Sequence, residues 1–259
     1  MKLRRRYFIL AGAGLALLGA VLGTLWMRHT PEPKYLGVRF GVFLDGYWKD
    51  REMRKTGREA VEAMGSSVVP YLVSQMESDP IREFMFRIKP RMPSKIASLF
   101  PNQTAYANRR SFAAALLTEA GTNAVGALPR LLEITEAESP DYTHNFIRAI
   151  GMLAPGTEYE DRARKLVLRV ATEARADAEL RRMSYHFLGT FAGNEVVPVL
   201  IDGLRDRRMI NACIDSLVKI GTNAAPELTK MAARESGHIR PAGLVLVKIE
   251  RKLREDQGR

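Results

Sequence analysis

Apolar positions recur along this chain in one spacing, and that spacing is helical. Pro70, Pro129, Pro198 and Pro226 mark it. Offsets of −1, +2, +3 and +6 from each proline give Val69/Leu72/Val73/Met76, Leu128/Leu131/Leu132/Thr135, Val197/Leu200/Ile201/Leu204 and Ala225/Leu228/Thr229/Ala232. A fifth copy, Ala163/Leu166/Val167/Val170, carries Arg164 in the proline slot. With about 3.6 residues per turn, these offsets fall on one side of a helix, so each segment predicts a helix with a single apolar stripe. Such a helix cannot shield its own stripe. Recurrence at irregular intervals of about thirty residues or more therefore predicts stacked helix pairs that share one interior.

The residues between the stripes predict the turns. Gly121-Thr122-Asn123-Ala124 returns as Gly221-Thr222-Asn223-Ala224, and Gly65-Ser66-Ser67-Val68 is a looser copy. Glycine after a helix suits left-handed geometry, and the Ser, Thr or Asn that follows is expected to cap the next helix through its side-chain oxygen. Three extra residues before Pro129 move that second helix to a start near Ala127. Residues 78–107 break the pattern with Pro80, Pro90, Pro93 and Pro101, and the third unit carries Ala154-Pro155-Gly156-Thr157 instead of the proline landmark.

The clearest unit is Asp206 to Met231, where Ile210, Ala212, Ile214, Leu217 and Ile220 precede Gly221, Pro226 and Leu228. It resembles a HEAT repeat, the two-helix unit of α-solenoids. An apolar N-terminal segment followed by such units is similar to a group of bacterial membrane-anchored HEAT-repeat proteins. The resemblance covers roughly residues 50–250 and implies an all-α, HEAT-like α-solenoid of about five helix pairs behind an N-terminal transmembrane helix. It specifies a shape, whereas activities differ widely among proteins of that shape.

Tyr7 to Met27 contain no charged side chain, and Arg28 follows at once. Twenty-one residues rising about 1.5 Å each span roughly 30 Å, the thickness of a bilayer's hydrocarbon core. Lys2, Arg4, Arg5 and Arg6 precede the run, which predicts a cytoplasmic N-terminus and an extracytoplasmic body on a bacterial-type inner membrane. The alternative is a signal peptide cleaved after Val21-Leu22-Gly23, leaving a secreted protein. Gly12, Ala16, Gly19 and Gly23 share one face; the Gly19/Gly23 pair would admit a weak dimer through the membrane helix, with an inert face as the other reading. The organisation expected is thus an anchor over residues 1–28, a linker and cap over 29–49, and a repeat domain over 50–259. Thr30-Pro31-Glu32-Pro33 reads as a stiff linker, and the aromatic stretch 35–48 as a cap over the first repeat with Trp48 packed inward.

Composition changes this picture little. Of 259 residues, 46% are hydrophobic and 27% charged, as in a globular chain. The net charge is +11, and the four N-terminal cations leave +7 for a body of mixed sign, which reads as a solvated surface. Cys213, the one cysteine, lies in the helical stripe Ile210/Cys213/Ile214/Leu217 and is expected to be a small buried hydrophobe. His29, His144, His186 and His238 show no metal-ligand spacing, and neither a phosphate-binding Walker loop nor a G-x-S-x-G elbow occurs. No catalytic residue, cofactor or metal site is therefore predicted, and the chain does not read as an enzyme.

In HEAT solenoids the second helices line a concave groove. Offsets +1 and +4 there are Tyr71/Ser74, Arg130/Glu133, Lys165/Leu168, Val199/Asp202 and Glu227/Lys230. Tyr71, Ser74, Arg130, Glu133, Lys165, Asp202, Glu227 and Lys230 are the candidate groove contacts. Their signs alternate, and Trp26 and Trp48 both precede the groove, so nucleic acid is not an expected partner. Clusters at Arg51/Arg54/Lys55, Arg109/Arg110, Arg181/Arg182 and Arg205/Arg207/Arg208 read as solvated helix starts and loops, with anionic headgroups or an acidic partner as the alternative. The function expected is a non-catalytic, membrane-anchored scaffold for an unidentified protein or peptide. The alternatives are a HEAT-fold enzyme of the lyase or DNA glycosylase kind and a module that binds anionic surfaces.

Overall fold

Helices fill most of the structure, a computed structural model that describes residues 30–47, 49–98, 102–137, 144–173, 176–191, 193–233 and 241–257. The chain opens with a short antiparallel ribbon, β1 (Lys34–Tyr35) and β2 (Val38–Arg39), in which Lys34 faces Arg39. Helices follow at α1 (Phe40–Gly46), α2 (Arg51–Met64), α3 (Val69–Met76), α4 (Pro80–Ile88), α5 (Ser94–Ala97), α6 (Gln103–Glu119) and α7 (Leu128–Ala137). The remainder comprises α8 (His144–Leu153), α9 (Glu160–Thr172), α10 (Ala178–Leu188), α11 (Val196–Gly203), α12 (Ile210–Ile220), α13 (Ala225–Ala232) and α14 (Pro241–Gln257). The fold is all-α apart from the ribbon. Among the described residues no helix is long and apolar enough to cross a membrane. The apolar run over residues 7–27, with Gly19 and Gly23, lies outside the described residues, as do Trp48, His29 and His238.

The predicted turns form, but not with the predicted caps. Gly65, Gly121 and Gly221 adopt φ of 55°, 53° and 70°, a region that strains any residue with a Cβ. Each then starts a 3₁₀ turn, over Gly65–Val68, Gly121–Ala127 and Gly221–Ala224, that runs directly into the next helix. No side chain caps those junctions. Instead the amides of Val69, Leu128 and Ala225 donate to the carbonyls of Ser66, Val125 and Thr222, so backbone satisfies backbone. Side-chain caps occur where a helix follows an extended residue: Asp50 and Asn102 accept from Glu52 and Thr104 amides, each at 2.8 Å. Pro80, Pro90 and Pro93 accompany a change to short elements over the described residues 77–98, namely α4, a 3₁₀ turn and α5.

Four of the five stripes are buried. Val69, Leu72 and Met76 are inside, as are Leu128, Leu131, Leu132 and Thr135, Ala163, Leu166, Val167 and Val170, and Val197, Leu200 and Leu204. The last stripe departs from expectation: only Leu228 is buried, and Thr229 is exposed with its hydroxyl donating to Ala225 O at 2.9 Å. One continuous apolar cluster runs from Phe40 to Ile249. Helix-to-helix contacts fall into two series. α2 touches α6, α6 touches α8, α8 touches α10, α10 touches α12 and α12 touches α14; α3 touches α7, α7 touches α9 and α11 touches α13. α1 buries Phe40, Phe43 and Leu44 and packs on α2 and α6.

Small residues set how closely the first series approaches. A Cβ on Gly189, at the end of α10, would fall 2.5 Å from Ser216 Cα of α12. Ser216 Oγ donates to Tyr185 O at 2.7 Å and His186 O at 2.9 Å, so the contact is both tight and bonded. Cys213 on the same helix is fully buried, and burial pushes its thiol up to about 12. Two outcomes follow. Gly189→Val should cost about 2 kcal/mol or more, because the clash is with backbone, read as a lower denaturant midpoint with an unchanged slope. Cys213 should react with a thiol reagent only upon unfolding. Since the buried thiol stays neutral where an exposed one ionises from near 9, its contribution to stability is complete below pH 9 and is lost as pH rises towards about 12. Rapid labelling of the folded chain at pH 8 would contradict this.

Candidate functional site

A polar cleft of about 380 Å³ opens where α3, the start of α4 and the first half of α6 meet the chain entering from Thr30. Tyr71 and Ser74 of α3 line it together with Glu32, Glu77, Asp79, Arg82, Tyr106, Arg109 and Arg110. Tyr71 is not the exposed groove residue that its offset predicts: it is 3% exposed. Its ring packs edge-on against Phe40, with centroids 5.9 Å apart, because α1 covers this part of α3 and α6.

Arg109 organises the cleft. Its Nε donates to Gln75 Oε1 at 2.9 Å, Nη2 to Tyr71 Oη at 3.1 Å, and Nη1 lies 3.3 Å from Asp45. Tyr71 Oη in turn donates to Glu32 Oε1 at 3.4 Å, which also accepts the Gly41 amide at 2.7 Å. The entering chain, α1, α3 and α6 are thus joined through one guanidinium. Arg110 is buried, donates from Nε to Met76 O at 2.7 Å and stacks over Tyr106 and Phe146 at 5.7 and 5.9 Å. Tyr106 Oη accepts the Asp79 amide at 2.8 Å and donates to Glu77 O at 3.3 Å.

These bonds define the chemistry. Burial raises both phenols above the usual tyrosine range; at Tyr71 the Glu32 carboxylate adds to that while Arg109 opposes it. Both therefore remain neutral hydrogen-bonding groups at ordinary pH. The Ser74 hydroxyl donates to Tyr71 O at 2.7 Å rather than to a base, so it is not an activated nucleophile. Among the described residues, no group of three or more His, Cys, Asp or Glu is placed to hold a metal ion. These bonds brace the cleft.

The other groove candidates sit along the second series. Arg130 of α7 pairs with Glu77 at 2.9 Å and with Glu133 at 2.8 Å, which links it to the rim of the cleft. Lys165 is exposed on α9. Asp202 pairs with Arg205 at 2.9 Å and Glu227 with Lys230 at 2.7 Å, on α11 and α13; none of these lines the cleft. Two ion pairs missed by the offset reading involve residues on α9. Arg162 meets Glu136 of α7 at 2.7 Å and holds that carboxyl below its usual range, and Arg164 Nε lies 2.6 Å from Glu195. Reading Arg109/Arg110 as solvated was also wrong. Arg110, Ala113, Ala114 and Leu117 follow i, i+3, i+4, i+7 spacing, so Arg110 occupies a core position, and that signal was present in the sequence.

No family model, curated protein or solved structure matches this chain. Tyr71→Phe removes the hydroxyl between Arg109 and Glu32 while keeping the buried ring. It should lower stability by about 1 kcal/mol and speed proteolysis between residues 30 and 47 without altering helix content. An unchanged cleavage rate would show that the bond does not hold this segment.

Proposed function

We propose that this chain is a HEAT-like α-solenoid, held at a membrane by residues 7–27, that acts as a non-catalytic scaffold for a protein or peptide partner. The observation that carries the reading is the pairing of charges between successive second-series helices: Arg130 of α7 reaches Glu77 beyond α3, and Arg162 of α9 reaches Glu136 of α7. Exposed pairs of this kind stabilise little individually, about 0–1 kcal/mol each. Their effect is on geometry, since each long side chain is positioned by its neighbour before a partner arrives. A surface so ordered costs a partner less to bind. Because the cations are interleaved with carboxylates, the same surface suits a mixed-charge polypeptide better than a polyphosphate backbone.

The resemblance to HEAT repeats supplies the solenoid, and the two contact series between alternate helices are what such stacking requires. The anchor rests on the uncharged run from Tyr7 to Met27 and its basic flank.

Photo-crosslinking residues placed singly at Lys165, Asp202 and Glu227 in the full-length, membrane-resident chain test the scaffold. The same protein partner should be captured from these positions and not from exposed Glu59 or Asn211 on first-series helices. Equal capture from both series would contradict an interaction face, and a co-purifying small molecule consumed by the chain would contradict a non-catalytic role.

A further inference from the structure

Between the first two stripes the repeat pattern fails, and the residues that break it share a chemistry. Residues 80–92, comprising α4 and the turn after it, carry Arg82, Arg87, Lys89 and Arg91 against one acid, Glu83. Phe84 is 58% exposed, with Met85 and Ile88 half-buried beside it. Over the described residues, none of these three is among the side chains packed on the continuous core. What holds α4 lies on its other side. Phe86, half a turn from Phe84 and from Ile88, packs 5.5 Å from the Tyr106 ring, and Arg82 lies 5.4 Å over that ring. One side of α4 is therefore fixed to α6, while the other presents an exposed aromatic flanked by cations.

The position of α4 places it beside the chain's entry. Thr30 and Glu32 line the same cleft as Pro80 and Arg82. Met27, the end of the apolar run, is three residues before Thr30, a reach of about 10 Å even if fully extended. The ribbon that follows adds Leu36 at its tip, 81% exposed, between exposed Lys34 and Arg39. Basic and apolar groups are thus concentrated where the chain would leave the bilayer.

We propose that residues 80–92 lie on the surface of an anionic lipid bilayer, with Phe84 in the interfacial zone and Arg87, Lys89 and Arg91 against lipid phosphates, while Arg82 stays on the inner side over Tyr106 and paired with Asp79 at 3.3 Å. The proposal rests on the anchored reading above and adds a second contact to it. A helix with cations beside an exposed aromatic has the composition that partitions into anionic interfaces, and a tether about 10 Å long keeps it at the headgroups. Two points of attachment would fix the first unit at the membrane and direct the later units away from it.

The test uses the full-length Phe84→Cys chain labelled with the environment-sensitive dye NBD; Cys213 is buried and does not compete. In vesicles containing about 30% phosphatidylglycerol, emission should be roughly twofold or more above that in pure phosphatidylcholine, with quenching by a shallow spin-labelled lipid. About 0.5 M NaCl should reverse the difference, because exposed charge–charge attraction is screened. The combined substitution of Arg87, Lys89 and Arg91 to Gln should also remove it. Equal emission in both vesicles would overturn the proposal. Flotation of the same labelled chain with neutral vesicles reads the anchor separately. Lost flotation with a retained anionic signal overturns the anchor alone; retained flotation without that signal overturns the α4 contact alone.

Discussion

Each buried stripe belongs to a helix that cannot cover it alone, and neighbouring helices supply the cover. Leu72, Leu131, Leu166 and Leu200 occupy the same offset and are all buried. The contacts that bury them connect α2, α6, α8, α10, α12 and α14 in one sequence, while α3 touches α7, α7 touches α9 and α11 touches α13. Burial at about 25 cal/mol per Å² rewards each added neighbour, so the energetics are local even though the core is continuous.

The ends of such an arrangement meet a different constraint. At the N-terminal end α1 lays Phe40, Phe43 and Leu44 over α2 and α6, and the Glu32–Tyr71–Arg109 bonds fasten the entering chain to them. A guanidinium that reaches Gln75, Tyr71 and Asp45 joins elements distant in sequence more directionally than apolar contact does. At the other end α13 buries Leu228 but leaves Thr229 exposed, and α14 exposes Leu244 and Val247. Under the two proposals the braced end would meet lipid and the charged second series would be left for protein.

The stripes were legible because period 3.6 survives any choice of apolar residue, and the start of α7 near Ala127 followed from counting alone. The junctions were less so. Thr122, Asn123, Thr222 and Asn223 carry good capping oxygens, yet the 3₁₀ turns satisfy the following amides through backbone carbonyls, a geometry that composition does not reveal. Tyr71 is buried where its offset predicts exposure because Phe40 of α1, thirty or so positions away in sequence, packs on its ring. Arg110 could have been recognised from its place in the Ala113/Ala114/Leu117 stripe. Arg109 could not, since its partners Asp45, Tyr71 and Gln75 are gathered only by the fold. The α4 segment was visible only as broken pattern; its two-sided character emerged once Phe86 was seen against Tyr106.

Spin labels report most directly on whether neighbours alone supply the cover. One label at Glu59 on α2 would be paired in turn with a second at exposed Met152 on α8, Asn211 on α12 or Lys252 on α14. Packed helices lie about 8–10 Å apart, so an end-to-end stack requires the electron–electron distance to grow steadily, by about that increment for each first-series helix crossed. A distance to Lys252 equal to or shorter than that to Met152 would mean that the ends fold back on one another, and the stacked account would be wrong.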